Sequence, residues 1–194
     1  MPKNRRPQPR DEKRAELVEA AAALFLERGY EQTSVGRIAQ AAGVAPNTIY
    51  WYFDDKDALL VATADAFLQT ALADYAEVTE RPLVDQMAWL VDRLRPFKEL
   101  VSTIHERASQ SAHVAAWHTE FHAVVERLFE AQLPAPLNPA TREADVTIVA
   151  FTLEGLVTHD VGAEASRAVY EVLLERVLAS TTGAGELRQG VTIR

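Results

Sequence analysis

Two short helical patterns joined across one glycine constrain this chain more than any other feature. They lie between Thr33 and Lys56. Thr33 and Ser34 offer an N-cap for a helix that ends near Ala41. Ala42-Gly43-Val44 then reads as a tight turn. Pro46 opens a second short helix, where its missing N–H costs nothing, and that helix ends near Tyr52. For two such helices to cross closely, the first must present a small residue, here Ala39. The turn must tolerate a left-handed backbone, here at Gly43. Ile38, Val44 and Ile49 supply the shared core. The spacing predicts a helix-turn-helix.

The outward face of the second helix is then Ala45, Pro46, Asn47, Thr48, Tyr50 and Trp51. Asn and Thr side chains reach base edges in a major groove, and an apolar ring can touch a thymine methyl. Tyr50, Tyr52 and Lys56 carry hydroxyl or ammonium donors suited to phosphates, which position a helix without reading sequence. Lys56 opens the next helix, whose first backbone N–H groups also favour an anion. Three adjacent aromatics, Tyr50, Trp51 and Tyr52, call for a partner surface if exposed.

The rest of the chain reads as helix throughout. Residues 1–10 hold three prolines and four cations, which predicts a flexible basic arm. Leu17, Ala21, Leu24 and Phe25 follow one face of a 3.6-residue period, so a helix runs from about Asp11 to Arg28, with Gly29 just past its end. Asp54 or Asp55 caps a long helix with Leu59, Leu60, Ala64, Phe67, Leu68, Ala71 and Leu72 as its apolar stripe. Pro82 and Pro96 mark two further starts, and Ser111 caps another. Three prolines between Leu133 and Pro139 demand a loop. Asn138-Pro139 reads as cap and first residue of a helix to about Asp160. Glu164–Ser180 closes the series, and residues 181–194 read as a flexible tail. No segment alternates like a strand. The fold expected is all-α with about nine helices: a three-helix helix-turn-helix domain over 11–56 and a larger helical domain over 57–180.

Composition narrows the function. Cysteine is absent, which excludes disulfides, Cys-ligated metal and thiol nucleophiles. The longest stretch without Lys, Arg, Asp or Glu is 16 residues, Ile38–Phe53, and contains Gly43, Pro46 and Asn47, so no membrane span is expected. With no apolar leader visible, a cytoplasmic protein is expected. The net charge of −8 is uneven. Residues 1–60 carry 9 bases and 9 acids, whereas 61–194 carry 11 and 19. A locally basic front suits contact with a polyanion, while the acidic rear has another task.

The run TSVGRIAQAAGVAPNTIYWYFDDKDALL (residues 33–60) resembles the N-terminal domain of the tetracycline-repressor (TetR) family of bacterial regulators. The likeness rests on Ile-Ala-x-x-Ala-Gly-Val at 38–44, Thr-Ile-Tyr at 48–50 and Tyr-x-x-Phe-x-x-Lys at 50–56. It covers about residues 13–60. It implies a homodimer whose two recognition helices enter successive major grooves of a palindromic operator, about 34–36 Å apart. It implies a rear domain that binds a small-molecule effector and releases DNA. By position, Thr48 and Trp51 match base-approaching residues, and Thr33, Ser34, Tyr50 and Lys56 match phosphate-contacting ones. Three departures stand out: Asn47 replaces a common Gly, Tyr52 a common His and Ala45 a common Ser. Gly36 occupies a place where some members read a base, which leaves Arg37 to read a base or hold phosphate. The DNA-binding set is therefore Thr33, Ser34, Arg37, Ala45, Pro46, Asn47, Thr48, Tyr50, Trp51, Tyr52 and Lys56.

In the rear domain, Trp89, Phe97, His105, Trp117, Phe121 and Phe151, with Thr103, His118, His122 and Thr152 as polar handles, are candidates to line an apolar effector pocket. His118 and His122 stand one turn apart with Glu126 beyond. That spacing can hold a metal, but two His make only part of a site, and no metal or cofactor is expected. Val146, Val149, Ala150, Leu153, Gly155 and Val157, with Val169, Val172, Leu173 and Val177, form the expected dimer interface. No Gly-rich phosphate loop or Ser/His/Asp signature appears. A ligand-responsive repressor is therefore the first reading, ahead of a helical enzyme or a protein-interaction module.

Overall fold

A computed structural model of the protein describes residues 9–159 and 161–182. Among these there are nine α-helices and no strand. The helices are α1 (Arg10–Arg28), α2 (Val35–Ala41), α3 (Pro46–Tyr50), α4 (Lys56–Tyr75), α5 (Leu83–Leu94), α6 (Lys98–Ala108), α7 (Ala112–Ala131), α8 (Arg142–Thr158) and α9 (Ala163–Thr182). Local chemistry sets most boundaries. Asp11 and Glu12 sit in the first turn of α1, and Gly29 takes φ 79° after its last. Ser34 caps α2 by accepting from the Arg37 N–H. Asp55 accepts from the Ala58 N–H at 2.7 Å, which makes it, not Asp54, the side-chain cap of α4.

Several boundaries differ from expectation. Pro96 falls within a 3-10 turn over Arg95–Phe97, and α6 starts only at Lys98. Asn138 does not begin α8: its Oδ1 accepts from the Ala140 N–H at 2.9 Å, a local turn that delays the helix to Arg142. Arg10 belongs to α1 instead of a flexible arm, and Thr181 and Thr182 belong to α9. The remainder of the expected arm (1–8) and tail (183–194) lies outside the described residues, as does Asp160.

The chain divides into two compact units. Among the described residues, the first comprises 9–74 together with Phe97–Thr119, and the second comprises Tyr75–Pro96 with 120–159 and 161–182. Most of α4, and α6, group with the helix-turn-helix in the first unit. In the first unit Leu17, Ala21, Phe25, Ile38, Ala39, Ile49, Phe53, Leu59, Leu60, Leu100 and Ile104 form one buried core, with Phe67, Phe97 and Trp117 packed against it. In the second, α5 packs on α8 and α9 around buried Met87, Val91, Val149, Leu153, Tyr170 and Leu174. Gln86, buried on α5, donates to the Thr79 and Arg81 carbonyls and accepts from the Tyr75 hydroxyl, which ties down the turn ahead of α5.

Candidate nucleic-acid interface

The turn forms as its residues dictate. Gly43 adopts φ 65°, a left-handed backbone that lets Val44 N–H donate to the Ala39 carbonyl at 2.9 Å. A Cβ at Gly43 would touch nothing within 4 Å, so glycine is needed there for conformation and not for room. Ala39, Ile38 and Ile49 are buried where α2 meets α3. With Ile49 anchored inward, Ala45, Pro46, Asn47 and Tyr50 are exposed, and Thr48 is half-buried. Trp51 is 83% exposed and Tyr50 54%. Two large rings in water, on a helix edge whose other side is fully packed, make a surface shaped for a partner.

Not every expected contact residue lies on that surface. Thr33 is fully buried, and its hydroxyl donates back to the Gly29 and Leu24 carbonyls at 2.8 and 3.2 Å. Its N–H goes to the Tyr30 carbonyl. Thr33 therefore closes the end of α1 and has no group left for a phosphate. Ser34 and Arg37 are exposed at the start of α2. Tyr52 is half-buried.

Two cations of the basic front lie near this edge. The Arg10 guanidinium lies 6.0 Å from the Tyr52 ring centroid, and that of Arg14 lies 5.1 Å from the Phe53 ring. Both belong to the basic front of the chain, whose charge was legible but whose placement was not.

Lys56 is tied inward at its ammonium. Its Nζ donates to the Tyr30 carbonyl at 3.0 Å and sits 3.8 Å from the Tyr30 ring centroid. Burial pulls the ammonium below the usual lysine range. Tyr30 is held in turn: its hydroxyl donates to Asp57 Oδ1 at 2.5 Å. The Arg107 fork closes on the same carboxylate, Nε to Oδ1 at 3.0 Å and Nη2 to Oδ2 at 2.5 Å. Burial, then the Asp57 bond and charge, push the Tyr30 phenol up, so it stays protonated and donates. Burial alone would also raise Asp57, but hydrogen bonds from Arg107 and Tyr30 outweigh it and hold the carboxyl below the usual carboxylate range.

That depression has a stability consequence. A carboxyl with a folded pKa below its unfolded value near 3.9 stabilises the fold above that value and loses the contribution as pH falls through the folded pKa. We expect wild-type unfolding free energy to fall more steeply between about pH 5 and pH 2 than that of Asp57→Asn. Urea titrations at stepped pH measure it, and parallel acid limbs would refute the assignment.

The rear candidates scatter. In the first unit, Phe97 packs on Phe67 with centroids 4.3 Å apart, His105 meets His118 edge-on at 4.8 Å, and Trp117 leans on the core. Thr103 lines a cleft of about 390 Å³ with Phe25–Gln32 and Glu99. In the second unit, Trp89 packs on Tyr75 and Phe121 on His122, both at 5.9 Å. The carboxylate that meets His122 is Glu154, 2.9 Å from Nε2, and not Glu126 one turn on. His105, His118, His122 and Glu154 are all metal-ligating residue types, so nothing here supports the expected absence of a metal. Thr152 lines a different hollow, a groove of about 410 Å³ with Ile148, Val169, Val172, Leu173 and Val177.

Phe151 is no pocket residue. It is 65% exposed, because α8 turns it away from the buried Val149–Leu153 side. The same geometry corrects the expected interface. Val146, Val149, Ala150, Leu153 and Val157 are buried inside their own unit, whereas Val169 and Val172 are exposed. A Cβ on Gly155 would meet nothing within 4 Å.

The fold and its exposed α3 edge define a helix-turn-helix protein. Residues 17–63 match the model of the bacterial regulatory proteins of the tetR family. It is 34% identical over 120 residues to the transcriptional repressor KstR2 of Rhodococcus jostii, a match covering 60% of this chain and 54% of that protein. It is 41% identical over 59 residues to the regulator TtgR of Pseudomonas putida, covering 30% and 28%. The alignable stretch thus spans about half, or less, of these relatives. A transcriptional regulator from Rhodococcus shares the fold with a TM-score of 0.69 at 17% identity, over 89% of this chain and 99% of its own. No described helix is long and apolar enough to cross a membrane.

Proposed function

We propose that this chain is a dimeric, effector-responsive DNA-binding repressor that works in the cytoplasm and is not an enzyme. The observation that carries this reading is the α3 edge: Asn47, Tyr50 and Trp51 exposed on a helix whose inner side is locked by Ala39, Gly43 and Ile49. Thr48, Asn47 and Trp51 face base edges. Ser34, Arg37, Tyr50 and Lys56 hold phosphates, joined by Arg10 and Arg14. The exposed face of α8 and α9, with Ile148, Phe151, Val169 and Val172, meets its own copy around a two-fold axis. A small hydrophobic or aromatic effector binds among the rear helices and lowers operator affinity reciprocally, by about 1–3 kcal/mol.

Selection of duplexes from a random pool, followed by anisotropy titrations, tests this. Lys56→Ala should weaken binding on all sequences alike and make the slope of log K against log[salt] shallower by about 0.9 per protomer. Asn47→Ala should instead relax preference at one base pair, by about 1–3 kcal/mol. Variants that behave identically would refute the division of roles. A wild-type chain that selects no duplex at low salt would refute the reading.

A further inference from the structure

We infer that Arg107, in the last turn of α6 and 50 residues beyond Asp57, is a positioning residue for operator binding: it sets the Lys56 ammonium at the DNA-facing edge through Asp57 and Tyr30. The inference rests on the DNA-binding reading and extends it to a residue outside the helix-turn-helix.

The chain of contacts is short and continuous. Arg107 grips Asp57 with both arms of its fork, a geometry that fixes the carboxylate plane as well as its distance. Asp57 then has an oxygen for the Tyr30 hydroxyl, which fixes the phenol ring. Tyr30 presents two features to Lys56, its carbonyl at 3.0 Å and its ring face at 3.8 Å. The Arg107 guanidinium also lies 5.6 Å from the centroid of that ring. A lysine side chain on its own carries large rotamer freedom, and ordering it on a phosphate costs entropy. Here the ammonium is placed in advance by the Tyr30 carbonyl and ring. An ammonium has three donors, so one spent on the Tyr30 carbonyl leaves two for phosphate oxygens.

The helix ends fit the arrangement. Asp57 stands in the first turn of α4 and Arg107 in the last turn of α6, each where its charge complements the helix dipole. Arg107 further donates from Nη1 to Gln110 at 3.1 Å, which leaves the guanidinium little rotational freedom. A displacement of α6 must break the Arg107–Asp57 fork or carry the first turn of α4 with it. Either way Lys56 loses its seat.

The test uses the full chain and a duplex selected from a random pool by the wild type, with affinity read by anisotropy from 50 to 300 mM KCl. Arg107→Lys keeps a positive charge beside Asp57 but loses the planar fork. It should weaken binding and make the salt slope shallower toward that of Lys56→Ala, up to about 1.8 for the dimer. In the Arg107→Lys/Lys56→Ala double variant the slope should equal that of Lys56→Ala alone, because both act through one contact. Tyr30→Phe, which removes only the hydroxyl, should shift the slope in the same direction and covers the case in which Arg107→Lys does not fold. Wild-type slope in Arg107→Lys or Tyr30→Phe, or additive losses in the double variant, would overturn the inference while the DNA-binding reading stands. A wild type that selects no duplex overturns that reading first, and this one with it.

Discussion

An aspartate at position 151 should turn dimers into monomers. Phe151 contributes little to its own protomer, being 65% exposed, and Ile148 on the same helix and Val169 and Val172 on α9 are exposed as well. Four large apolar side chains exposed on α8 and α9 call for a covering, and a second copy is the one proposed. Burying one phenylalanine contributes about 1.5–3 kcal/mol. An isologous interface counts it twice, so its loss amounts to roughly 3–6 kcal/mol, or about 10²- to 10⁴-fold in dissociation constant. The added carboxylate has no partner in an apolar seam, which raises the cost. Sedimentation velocity of Phe151→Asp at micromolar concentration should show monomer, with the helical circular dichroism signal retained. Binding to a two-half-site duplex should drop with it. A dimer of wild-type affinity would show that this face is not the interface. The contrast is Leu153→Asp, which strikes the buried side of α8 and should unfold the second unit.

What was legible in the sequence depended on how far apart the interacting residues lie. Ile38, Ala39, Gly43, Val44 and Ile49 fall within twelve residues, and glycine and proline punctuate them, so the helix-turn-helix could be read directly. Thr33 could not. A hydroxyl at a helix boundary can cap the helix after it or close the one before it, and the choice fell to the Gly29 and Leu24 carbonyls. Asn138-Pro139 has the pattern of a helix start, yet the Asn side chain closes a local turn with Ala140 and the helix begins later. On α8 the apolar residues wrap most of the circumference, so periodicity marked a core face and an outer face with equal strength. Only packing against α5 separates Val149 and Leu153 from Ile148 and Phe151. The Asp57–Arg107 pair spans 50 residues. Its only trace was an aspartate placed just ahead of Leu59 and Leu60, where an apolar stripe begins.

Phe25→Ala should cost the first unit about 3–5 kcal/mol, a large share of the 5–15 kcal/mol that holds a domain together. Phe25 is almost completely buried in the core that also holds Leu17, Ile38 and Leu59, and its ring centroid lies 5.5 Å from that of Tyr30. Its carbonyl accepts from the Gly29 N–H, so the residue sits where α1 stops and the chain turns toward α2. Truncation removes the buried ring and leaves a cavity beside Tyr30, which no neighbouring main chain can fill without moving. Two effects should separate. Urea unfolding should show the stability loss, with Phe25→Leu recovering most of it because the volume is largely kept. DNA affinity, measured cold and in the folded baseline, should fall further than the unfolded fraction explains, because the Tyr30 ring that seats Lys56 has lost its backing. A loss in Phe25→Ala below about 1 kcal/mol would mean that the cavity collapses freely and that the end of α1 is not held by this core. Unchanged affinity of the folded fraction would mean that Tyr30 is held by Asp57 alone.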